Sequence, residues 1–92
     1  MEDVRQKEAE ALAAGKKGDF KRAIQIWEQI LEAYPRWELG YAHYNLADCY
    51  TCAGQIDLAI ETYRKAIALS PNDPMFTEAL ESVLEARRLG HI

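Results

Sequence analysis

The 92-residue sequence predicts an all-α fold, an array of paired helices, on three observations. First, the chain matches itself at an offset of 36 residues. Gly18 corresponds to Gly54, Phe20 to Ile56, Ala23 to Ala59, Ile24 to Ile60, Trp27 to Tyr63, Leu31 to Ile67 and Pro35 to Pro71. A fixed period of this size is the mark of stacked repeats, because one unit alone cannot bury its apolar face. Second, the apolar residues inside each copy recur at helical spacing. Third, each copy is framed by a glycine before it and a proline after it, the residues that turn and stop a helix.

The elements follow in chain order. "VRQKEAEALAAG" is alanine-rich, with Val4, Ala11, Leu12 and Ala14 as its apolar positions, and forms the first helix. Gly18 turns the chain into a second helix, whose stripe is Phe20, Ala23, Ile24, Trp27, Ile30 and Leu31 and which Pro35 ends. "AHYNLADCYTCA" gathers Ala42, Leu46, Ala47, Cys49 and Tyr50 on one broad stripe of a third helix. After Gly54 a fourth helix carries Ile56, Ala59, Ile60, Tyr63, Ala66 and Ile67 and stops at Pro71. Ser70, Asn72 and Asp73 are candidate caps for a fifth helix. There Pro74 suits the first turn, Phe76, Leu80, Val83 and Leu84 form the stripe, and Gly90 suits the end. The count is five helices and no strand.

Ninety-two residues support one domain, expected over 1–92. Charge is uneven: residues 1–36 carry seven basic and seven acidic groups, and residues 37–92 carry four and eight. The balance excludes a general nucleic-acid binder, which needs a basic face. The basic cluster Lys16, Lys17, Lys21 and Arg22 reads as a solvated turn. "MEDVRQKEAE" has no apolar segment of the kind a secretory signal needs, and no apolar run approaches the roughly 20 residues of a membrane span, so no membrane association is expected. The expected location is cytoplasmic, where thiols stay reduced, and Cys49 and Cys52 are not read as a disulfide.

These residues resemble the tetratricopeptide repeat family, whose unit of about 34 residues is a helix-turn-helix. The second unit, 40–73, matches the family pattern at Leu46, Ala47, Tyr50, Gly54, Ala59, Tyr63, Ala66 and Pro71, with His43 where a large residue is usual. The first unit, 4–37, matches at Ala11, Gly18, Asp19, Phe20, Ala23, Trp27 and Pro35. It departs at Lys7, Glu10 and Ala14, where the family has large apolar residues or Tyr. Two extra residues fall between the units, in "PRWELG", and the helix over 74–90 resembles the family's solvating end helix. The resemblance implies a short right-handed α-solenoid of two helix-turn-helix repeats plus a capping helix, without catalysis or cofactor. It also implies that first helices line a concave groove, which assigns partner-binding positions to Arg5, Glu8, Leu12 and Lys16 in the first unit. In the second it assigns them to Tyr41, Tyr44, Asn45, Asp48, Thr51 and Cys52. Of the family's carboxylate clamp only Asn45 is matched, Glu8 and Leu12 replacing the Lys and Asn, so that clamp is not expected.

Within this frame Tyr41, Tyr44 and Asp48 recur at i, i+3 and i+7, so one helix face presents all three as anchors, with Arg5 and Lys16 at the rim. The expected function is binding of a peptide segment or helix of another protein in the groove. The alternative is a dimeric scaffold that self-associates weakly through the solenoid ends. A third reading, a thiol redox or metal module at Cys49 and Cys52, meets three obstacles. The pair lies toward the C-terminal end of its helix, where the dipole disfavours a thiolate. A structural zinc site needs four ligands, and the sequence has no second CxxC. His43 stands six residues from Cys49, off its helical face.

Overall fold

The computed structural model describes residues 3–92, so the first two residues of the expected domain lie outside them. Five α-helices occur among the described residues: α1 (Val4–Lys16), α2 (Phe20–Ala33), α3 (Tyr41–Cys52), α4 (Ile56–Leu69) and α5 (Pro74–Arg88). Each packs on the next in sequence, giving an elongated array of 45 × 29 × 17 Å. Local chemistry sets the helix starts. Asp3 accepts from the Arg5 amide at 3.0 Å, Asp19 from the Arg22 amide at 3.2 Å and Asp73 from the Met75 amide at 3.0 Å. Among the three candidate caps of α5 the structure therefore uses Asp73, with Pro74 opening the first turn.

Six alanines, Ala11, Ala23, Ala42, Ala47, Ala59 and Ala66, are 0% exposed. Such small side chains let neighbouring helices approach closely, and the large residues Trp27, Ile30 and Tyr63 fill the space between them. The buried stripe of α3 is the one the sequence predicts. On α5 Phe76 and Val83 are buried, but Leu84, expected in the stripe, is 38% exposed because it lies on the wall of an open cleft between α4 and α5. The outward face of α5 is polar, with Glu78, Glu81, Ser82 and Glu85 exposed.

One element was not expected. "WELG" forms a 3₁₀ turn, Trp37–Gly40, rather than an open loop. Glu38 and Leu39 both take left-handed backbone, at φ 50° and 52°, and Gly40 follows at φ 106°. The Leu39 carbonyl accepts from Ser70 Oγ at 2.6 Å, which fastens the turn to the end of α4.

Candidate functional site

α1 and α3 lie side by side with an open groove of about 250 Å³ between them. Its floor is apolar, made by Ala11, Phe20, Trp27 and Cys49. Leu12 and Lys16 rise from α1 on one wall, and Asn45, Asp48 and Cys52 from α3 on the other. Lys16 and Asp48 thus face one groove with opposite charge. The α3 wall is organised by its own hydrogen bonds. Asn45 Nδ2 donates to the Tyr41 carbonyl at 3.0 Å, and the Tyr63 hydroxyl donates to Asp48. Burial pushes the Asp48 carboxyl above its ordinary range, and the Tyr63 bond pulls it partly back. Tyr63 is itself raised, first by burial and then by that bond.

The other sequence-predicted residues extend the α3 face or leave it. Tyr44 stands at the α5 end, its ring 5.4 Å from Phe76, 6.3 Å from Tyr41 and 6.2 Å from Tyr63. Tyr41 and Tyr44 are both half-buried. Thr51 turns back on its helix and donates to the Ala47 carbonyl at 2.9 Å. Arg5 and Glu8 form a separate cluster around Trp37: the indole Nε1 donates to Glu8 at 3.0 Å, and the Arg5 guanidinium lies 5.7 Å from the ring centroid. Glu38 is raised here, first by a hydrogen bond with Glu8 and then by burial, with Arg5 opposing. Trp37 is thereby half-buried against α1. Two contributions escaped the sequence reading: Phe20 on the groove floor, read only as core, and Trp37 beside α1. The two-residue excess between the repeats was the signal for the second.

The cysteines divide by exposure. Cys49 is 8% exposed and Cys52 is exposed; both are free thiols. Burial, then Asp48 and Cys52, push the Cys49 thiol up to about 11, the direction opposite to that of a redox thiolate. Among the described residues no three His, Cys, Asp or Glu side chains converge on a metal-sized space. A thiol reagent at neutral pH should therefore modify Cys52 rapidly and Cys49 only as the chain unfolds, as read by mass spectrometry. Alkaline stability carries the same signature. Below pH 9 the Cys49 thiol is protonated in both states; above it the unfolded chain releases the proton and the folded chain retains it up to about 11. Tyr50, raised to about 12 first by burial and then by its bond to Glu28, acts in the same sense from pH 10. Tm should fall as pH rises past 9, and Cys49→Ala should flatten the first part of that fall.

A profile of the tetratricopeptide repeat family matches residues 8–74. Among curated proteins, the chain is similar to photosystem I assembly protein Ycf3 of Prochlorococcus marinus strain MIT 9301. The two are 32% identical over 79 residues, covering 85% of this chain and 46% of the relative. The Ycf3 of P. marinus strain NATL2A is 30% identical over 91 residues, 92% of this chain and 53% of its own. That of Synechococcus sp. strain CC9605 is 33% identical over 78 residues, 78% and 45%. The chain spans about half the length of the curated relatives it matches.

Proposed function

The chain belongs to the tetratricopeptide repeat family, and from that premise we propose that it binds a short segment of a partner protein along the α3 face of its concave groove. The observation that carries this reading is the groove between α1 and α3: an apolar floor, Leu12 as an exposed apolar contact, and Lys16 and Asp48 as opposed charges. Tyr41 and Tyr44 continue the same face toward α5 and offer aromatic area at low entropy cost. Arg5, Glu8 and Thr51 flank it. The groove is short, so a partner contributes a few residues and the affinity is modest. The relatives named for photosystem I assembly support a role in bringing together a protein complex. End-to-end self-association draws on the exposed Met75, Leu84 and Leu89; against it stands the acidic outer face of α5, which repels a like face.

The test starts from peptides selected by display on the immobilised chain. Leu12→Glu removes an apolar contact and sets a carboxylate beside Asp48, so the selected peptide should bind more than about tenfold more weakly. The helical signal should be unchanged, since Leu12 is 37% exposed. Lys16→Ala should weaken binding mainly at low salt, as a rim charge does. If peptides bind both variants as they bind the parent, the site is elsewhere. Tyr44→Ala is a less clean probe, because it also removes the ring stacked on Phe76.

A further inference from the structure

The opposite side of the array holds a second groove, between α2 and α4 with α3 as its base. At about 500 Å³ it is larger than the groove between α1 and α3. Its apolar surface comes from Leu31, Leu46 and Leu58, the last 46% exposed. Its edges carry Glu28, Glu32 and Glu61 against the single cation Lys65. Glu28 is engaged by the Tyr50 hydroxyl at 2.8 Å, and Lys65 lies 4.0 Å from Glu61. Glu32 has no charge partner among the described residues. His43 lines the same groove, its Nδ1 buried without a hydrogen-bond partner. Desolvation, then Lys65, hold the imidazole toward its neutral form.

We propose that this α2–α4 groove is a second docking surface, for a partner segment in which a leucine-like side chain is flanked by lysine or arginine. The apolar residue covers Leu31 and Leu58, and its basic neighbours meet Glu32 and Glu61. Charge complementarity decides the occupant: three carboxylates and one ammonium surround an apolar base, which favours a cationic segment and repels an acidic one. The chain's own Leu89 follows Arg87 and Arg88, but those arginines are paired with Asp57 and Glu85, and a formal net charge of −4 opposes the approach of a second copy.

Two capped synthetic peptides, Ac-GKLLKG-NH2 and the charge-reversed Ac-GELLEG-NH2, titrated into the full chain and followed by amide NMR shifts, test this. The lysine peptide should shift amides around Leu31, His43 and Leu58 and leave those around Leu12 and Asp48 in place, while the glutamate peptide shifts neither set. Glu32→Gln should weaken the lysine peptide roughly fivefold at low salt, and high salt should erase that difference. Leu58→Glu should weaken it too; Leu58 is exposed, so the fold survives. Equal binding of the two peptides, shifts centred on the α1–α3 groove, or no shifts at millimolar peptide would overturn the proposal. So would concentration-dependent shifts at Leu58 without peptide, which would make the occupant a second copy.

Discussion

Trp27→Ala should lower stability by about 3–5 kcal/mol, the largest loss expected from a single core truncation in this chain. Trp27 is 1% exposed and has the largest buried side chain. It belongs to one cluster with Ala11, Ala47 and Cys49, and it also forms part of the groove floor. Alanines cannot expand into the space it leaves, so the cavity persists and the lost contacts are not recovered. A domain of this size has roughly 5–15 kcal/mol in total, so the variant should be marginal at room temperature. Urea denaturation reads the effect as a lower midpoint with the slope unchanged. A shift of less than about 1 kcal/mol would mean that the two repeats do not share one core.

Gly40→Ala should destabilise the chain by about 2–5 kcal/mol although it adds one methyl group. A Cβ at Gly40 would lie 2.7 Å from the Ala66 carbonyl oxygen and 2.9 Å from Phe76, so α3 could not enter between α4 and α5 as it does. The φ of 106° adds a backbone penalty of about 1–2 kcal/mol, and overpacking adds about 1–3. Gly18→Ala separates the two contributions. Its φ is 82° but nothing lies within 4 Å of a Cβ there, so it should show only the backbone part. In thermal melts each kcal/mol moves Tm by about 4–8 °C, which makes the two variants readily distinguished. Equal losses at Gly18 and Gly40 would contradict the close approach.

The repeat, the five helices and most of the buried stripe were legible because they rest on local signals: periodicity, glycines that turn and prolines that stop. What was hidden rests on neighbours. Nothing in "WELG" announces left-handed backbone at Glu38 and Leu39; Ser70 bonded to the Leu39 carbonyl and Gly40 seated against Ala66 hold it there. Leu84 fits the α5 stripe by spacing, and the open cleft between α4 and α5 leaves it partly exposed. The groove residues were legible as far as α1 and α3 carry them, since helix faces follow from sequence. Leu12, Lys16, Asn45 and Asp48 accordingly meet at one groove. The diversion of Arg5 and Glu8 to Trp37 was not legible, because it depends on where the inter-repeat turn lands.

Hydrogen exchange of the chain, alone and saturated with a display-selected peptide, tests the central claim most directly. Binding along the concave groove predicts added protection over α3, Tyr41–Cys52, and the second half of α1, with α4 little changed. Protection over α2 and α4, with α1 unchanged, would contradict it.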